Sequence, residues 1–210
     1  LTPAGQLLTL QEAARRVQVG LTAWSGLADK PELLSETLAL IDECKSCMIE
    51  PEMLFRASEE SALDEDAALS AKLRDLAQIL TQYDSLCEET LPDPRDRLTH
   101  LRDGLAESHV LDGAEVYLDG FLSYTPQELA IIEVMLSSGV PLTAAVTCDV
   151  ELPDVFVTGC RTLRTLTRMA ERCSRRPELV DLGAGKMPRP AGLAAVANEA
   201  LLPVRQAHED

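Results

Sequence analysis

Apolar residues recur at helical spacing through the first hundred positions. Leu10, Ala14, Val17, Leu21 and Trp24 alternate steps of four and three, which predicts an amphipathic helix. Thr9 and Glu12 have the spacing of a capping box at its start. A second helix is expected from Pro31, a good first-turn residue. Its stripe is Leu34, Leu38, Ile41 and Met48, with Cys44 or Lys45 between. The cleanest stripe is Leu69, Leu73, Leu76, Leu80, Tyr83 and Cys87, a heptad-like seam. It stops before Leu91-Pro92-Asp93-Pro94. Asp93 is then placed to cap a fourth helix, with Pro94 at its first position and Leu98, Leu101 and Leu105 facing inward.

The pattern changes near residue 110. Ala114 to Leu118 is a short apolar run closed by Asp119-Gly120, and Pro141 to Cys148 is a second such run. Both predict buried strands. Between them a helix is expected from Pro126 to Ser138, ended by Gly139. Another is expected over residues 159 to 173, then a third short strand at Leu179, Val180 and Leu182. Strand and helix alternating at this spacing predict a parallel sheet. The fold class expected is therefore α/β and mostly helical. A helical subdomain spans about 1–110, an α/β subdomain about 111–185, and a loop with a C-terminal helix over Ala191–Leu202 fills 186–210.

Aromatic residues make up only 3% of the chain, so the core must be built from Leu, Ala, Val and Ile, which favours helices. The formal net charge of -16 repels phosphate backbones, so the chain is expected to be a poor independent DNA binder. Against that background Arg161, Arg164, Arg168, Arg172, Arg175 and Arg176 cluster, the first four at helical spacing. They form either a solvated helix face or a contact for nucleic acid or an acidic partner. No apolar stretch approaches the roughly 18 residues of a membrane span. Leu1 is not a natural start, so the chain is expected to be a piece of a longer protein. The six cysteines are scattered at mostly apolar positions, which suits buried thiols in a reducing cytoplasm.

Few residues carry a chemical signal. Cys44 and Cys47 have CxxC spacing but no second pair, so a structural role is expected rather than zinc or redox chemistry. His100, His109 and His208 share no motif. The acidic run from Glu59-Glu60 to Asp64-Glu65-Asp66 is expected to be a solvated loop and helix start. The informative stretch is Val116-Tyr117-Leu118-Asp119-Gly120-Phe121 followed by Thr125-Pro126-Gln127-Glu128. An apolar strand ending in Asp is how P-loop motors present a carboxylate to the magnesium of a nucleotide. In active motors a neighbouring Glu positions the attacking water; here Gly120 has no side chain to do so. The bland alternative is a strand, an Asp-Gly turn and a well-capped helix: Thr125 caps, Pro126 takes the first position and Glu128 completes the box.

VYLDGFLSYTPQE resembles the AddB family pattern, and ELAIIEVMLSSGVPLTAAVTCD, VFVTGCRTLRTLTRMAER and LSETLALIDECKSCMIEPEMLFRA are similar to other blocks of that family in the expected order. The resemblance implies a helical insert followed by a partial RecA-like motor fold. It further implies a subunit that pairs with an AddA-like motor and nuclease, processes broken DNA ends and scans single-stranded DNA for the Chi sequence. ATP, magnesium and an iron–sulfur cluster belong to the parent family. None is assigned to this chain, because no GxxxxGK[ST] loop is present. Gly183-Ala184-Gly185-Lys186-Met187 imitates only the end of one, and Pro188 breaks the helix it requires. The leading expectation is a non-catalytic, motor-like scaffold. One alternative is an ATPase completed by a missing phosphate loop, with Asp119 on magnesium and Glu128 positioning water. The other is an acidic helical module that binds a partner through the Leu69–Cys87 seam.

Overall fold

The computed structural model describes residues 1–89, 92–150 and 152–182. These are mostly helical, with seven α-helices and a two-stranded sheet among the described residues. Packing divides the chain into two compact units. One comprises Leu1–Val116 with Tyr124–Leu142, and the other comprises Tyr117–Ser123 with the chain from Thr143 onward. This division follows contacts, whereas the boundary expected near 108–112 follows a change in sequence character.

The first unit is built around α1 (Pro3–Val17), α2 (Pro31–Ser46), α3 (Pro51–Leu63) and α4 (Ala67–Glu89). Helix α1 starts earlier than expected: Thr2 is its N-cap, and its Oγ1 accepts the Gly5 N–H at 3.2 Å. Thr9 lies inside the helix and donates to the Gly5 carbonyl, so the Thr9–Glu12 spacing caps nothing. Pro3 explains the shift, since its fixed φ and missing N–H suit the first turn. Helix α2 begins at Pro31 as expected and buries Leu34, Leu38, Ile41 and Cys44. It ends at Ser46, before Met48, which has φ +56.

Helix α3 is a correction. Pro51 opens a helix that carries Glu59 and Glu60 in its last turns. Solvent exposure keeps the cost of acids at that end small. Asp66 then accepts the Leu69 N–H at 3.0 Å, starting α4. Small side chains let α3 and α4 approach, and the Ser58 and Ser70 hydroxyls meet at 3.3 Å in a buried contact.

The core gathers Leu10, Ala13 and Ala14 of α1, Ile41 of α2, Leu54 of α3 and Leu76, Ile79, Leu80 and Tyr83 of α4. The Leu69–Cys87 seam is thus consumed internally: Leu76, Leu80, Tyr83 and Cys87 are buried, and only Leu69 is exposed, at 44%. A surface for a partner on that seam is not available.

Asp93 caps as expected, accepting the Arg95 N–H at 3.1 Å. It opens a short 3-10 turn, Pro94–Asp96, and α5 (Arg97–Glu107) follows. Leu105 is buried, whereas Leu101 is 47% exposed, so the inner face of α5 is narrower than its pattern implies. Helix α6 (Pro126–Ser138) packs on α5 within the same unit. Gly139 closes α6 at φ +89, a left-handed angle that favours glycine.

Strands β1 (Val116–Leu118) and β2 (Leu142–Ala144) pair in parallel on either side of α6 in the sequence. Val116 N–H donates to the Pro141 carbonyl at 2.9 Å, and Ala145 N–H donates to Leu118 at 2.8 Å. The strands are shorter than expected and only half-buried, with Tyr117 69% exposed. A two-stranded sheet cannot cover both of its faces. The second unit also holds α7 (Val157–Arg172). Residues 179, 180 and 182 form no strand and are exposed, because no neighbouring strand takes up their backbone groups among the described residues. Gly183–Met187 and the expected helix over Ala191–Leu202 lie outside the described residues.

Candidate functional site

In the second unit, Asp119 follows β1 and is exposed. Its Oδ1 accepts the Gly120 N–H at 2.8 Å, so one carboxylate oxygen is spent on its own turn. Gly120 has φ +81. A Cβ there would meet nothing within 4 Å, so backbone angle rather than space selects glycine. Phe121 and Leu122 follow, 41% and 64% exposed.

Helix α7 reaches this segment directly. The buried Thr162 hydroxyl donates to the Leu122 carbonyl at 3.0 Å. The next face of the helix carries Arg161, Arg164 and Arg168, none of them buried, and none has a carboxylate within ion-pair distance among the described residues. Thr162, Met169 and Ala170 are buried on the opposite side. The sequence-predicted stripe is therefore a real face. The Thr162–Leu122 bond holds the buried side of α7 to the segment after β1 and leaves the arginine face outward.

The first unit holds the remaining predicted residues. Thr125 and Glu128 form the expected capping box. Thr125 Oγ1 accepts the Glu128 N–H at 3.3 Å, and Glu128 Oε2 accepts the Thr125 N–H at 2.7 Å. Pro126 occupies the first turn. The Glu128 carboxylate is thus engaged by the cap, which argues against its use for positioning water.

The roles of two buried polar residues and one half-buried lysine escaped sequence reasoning. Gln127, 6% exposed, donates from Nε2 to the Arg95 carbonyl at 3.2 Å and the Thr99 hydroxyl at 3.1 Å, tying α6 to α5. Asp75, 1% exposed, gathers the N–H groups of Thr22, Ala23 and Trp24 at 2.7–3.1 Å. Lys45 sits 2.8 Å from Asp84, 2.9 Å from Asp96 and 3.4 Å from Asp93, with its ammonium 5.6 Å from the Tyr83 ring centroid. A charged residue within an apolar stripe was the available signal for Lys45 and Asp75; it does not identify the partners.

These are structural networks rather than reactive ones. Burial raises the Asp84 carboxyl, opposed by Lys45. For Asp93, burial pushes upward but the Arg95 N–H and Lys45 outweigh it and hold the carboxyl low. Cys44 is buried and its thiol is raised by burial, while Cys47 is exposed. His109 pairs with Asp112 at 3.2 Å in solvent. Among the described residues no group of three or more His, Cys, Asp or Glu converges as a metal site. An open cleft of about 410 Å³ in the first unit is lined by Gln6, Asp42, Arg95, Leu98 and Gln127 among others. The Arg95 guanidinium in its wall is held at 2.7 Å by Asp42.

A family profile described as "ADDB, N-terminal" matches residues 1–187. The B subunit of the ATP-dependent helicase/deoxyribonuclease of Symbiobacterium thermophilum is 34% identical over 140 residues, covering 66% of this chain and 12% of that protein. Its counterpart of the same name in Acetivibrio thermocellus is 30% identical over 173 residues, 80% of this chain and 15% of its own length. That of Alkaliphilus oremlandii is 26% identical over 188 residues, 88% of this chain and 16% of its own length. The chain therefore spans less than a fifth of the length of these curated relatives. With the match covering all but the last residues, the chain belongs to the AddB N-terminal family.

Proposed function

We propose that the chain is a non-catalytic, motor-like piece of a DNA-break-processing helicase–nuclease subunit, and that it contacts single-stranded DNA through α7. The observation that carries this reading is the exposed face of Arg161, Arg164 and Arg168 on α7, turned outward while Thr162 on the buried side of the helix bonds to the Leu122 carbonyl. Arginines recurring along one helix face track the phosphates of a single strand. The parallel β1–α6–β2 passage with Asp119 after β1 supports a partial RecA-like fold, and Gly120 supports loss of hydrolysis. The names of the relatives, each the B subunit of a helicase/deoxyribonuclease, support a partner subunit and a DNA substrate; an AddA-like partner, a cytoplasmic setting and a role in scanning for Chi belong to the same proposal. ATP, magnesium and an iron–sulfur cluster remain properties of the parent subunit in this reading.

The test is fluorescence anisotropy with a labelled single-stranded oligonucleotide. Replacing Arg161, Arg164 and Arg168 with Gln is expected to weaken binding at least about tenfold and to flatten the salt slope by about 2, the change for three phosphate contacts on a single strand. Unchanged affinity and slope would overturn the α7 interface. Magnesium-dependent ATP turnover by the same chain is expected to stay at background. Turnover abolished by Asp119→Ala would restore the ATPase alternative.

A further inference from the structure

The second unit contains a thiol pair that the DNA-contact reading does not use. Cys148 follows β2 and is half-buried; Cys160 lies in the first turns of α7 and is 5% exposed. Two neighbouring contacts bracket them. A Cβ on Gly159 would lie 3.0 Å from the Cys148 Cβ, and Cys160 Sγ lies 3.5 Å from the Asp149 carbonyl oxygen. Residue 148 thus faces 159 while 149 faces 160, and the Cys148 and Cys160 side chains interact directly, so two cysteines twelve residues apart lie side by side, as a disulfide requires. The other four cysteines lack this crossed arrangement.

We propose that Cys148 and Cys160 are a modification site, closing to a reversible disulfide that tethers the first turns of α7 to the segment after β2. The oxidant is a low-molecular-weight disulfide. The Cys148 thiolate attacks one of its sulfurs, forming a mixed disulfide and releasing the first small thiol. The Cys160 thiolate then attacks Cys148 Sγ and releases the second. The two thiol protons and two electrons leave on the two small thiols, so the protein loses two hydrogens. Cys148 reacts first because it is the more accessible of the pair. Burial, then Cys160 and the carboxylates of Asp149 and Asp181, push its thiol up, so the reaction is slow and needs oxidant in excess.

The experiment uses the 210-residue chain with Cys47→Ser, which removes the exposed thiol, incubated with oxidised glutathione and read by intact mass and non-reducing peptide mapping. The expected product has lost two hydrogens, carries no glutathione, maps to 148–160 and reverts with dithiothreitol. Cys160→Ser is expected to retain one glutathione on Cys148, because nothing resolves it. A stable glutathione adduct without Cys160→Ser, a disulfide mapped to other cysteines, or unreacted Cys148 and Cys160 would each overturn the proposal.

Discussion

Asp75 shows how one side chain organises a loop that has no regular structure of its own. Three consecutive N–H groups at 22–24 point at its carboxylate. Removing the acceptor leaves them unmet beside a buried site, at about 1–3 kcal/mol for each group that water cannot reach. Asp75→Ala is expected to lower unfolding free energy in urea by about 3 kcal/mol or more, and Asp75→Asn by less, since the amide oxygen still accepts. Equal stability of wild type and Asp75→Ala would show that the loop finds other partners. Cys87 is a second case. Burial, then the Asp93 charge, raises its thiol from 9.0 to about 11. The native state holds this proton where the unfolded chain loses it. The stability it contributes is complete below pH 9 and lost as pH rises through about 11. Lys45 acts in the same direction: burial lowers its pKa, but the bonds to Asp84 and Asp96 outweigh burial and raise it. The urea midpoint should fall between pH 9 and about 11, and fall less steeply in Cys87→Ala. Parallel curves would reject the assignment to Cys87.

At the scale of elements, the ends of α6 were legible because their signals are local. Thr125, Pro126, Glu128 and Gly139 each act within a few residues along the chain. The separate existence of α3 was not, because Met48 and Ile49 continue the apolar pattern of α2 while the backbone turns at φ +56. Helix α7 depends on a contact that no local pattern records. A Cβ on Gly159 would collide with the Thr147 carbonyl oxygen. Backbone cannot yield as a side-chain tip can, so Gly159→Ala must move α7 away from the segment after β2. The expected result is a loss of about 2 kcal/mol, within the range for overpacking, with faster proteolysis near Val150–Val155. Unaltered stability and cleavage would mean that the first turn of α7 tolerates the shift.

At the scale of the molecule, charge is unevenly divided. The first unit carries 25 acidic and 10 basic residues, so its surface repels nucleic acid and any DNA contact must come from elsewhere. Between 161 and 176 there are six arginines and one glutamate, which makes α7 the local exception. Among the described residues no helix is long and apolar enough to cross a membrane. By itself the sequence determined the helical character, the caps at Asp93 and at both ends of α6, the places of β1 and β2, and the basic stripe. It also identified Gly120 as a position without a catalytic side chain. These are properties of residue type and short spacing, expressed wherever the chain goes. Only the tertiary structure decided that the Leu69–Cys87 seam is spent on the chain's own core, that the sheet among the described residues has two half-buried strands, and that Gln127, Asp75 and Lys45 find partners 28 to 53 residues away. It also decided that Thr162 holds the buried side of α7 to the Leu122 carbonyl, leaving the arginine face outward. Such pairings depend on which surfaces meet after collapse, and a stripe on one helix specifies that it will be buried without specifying against what.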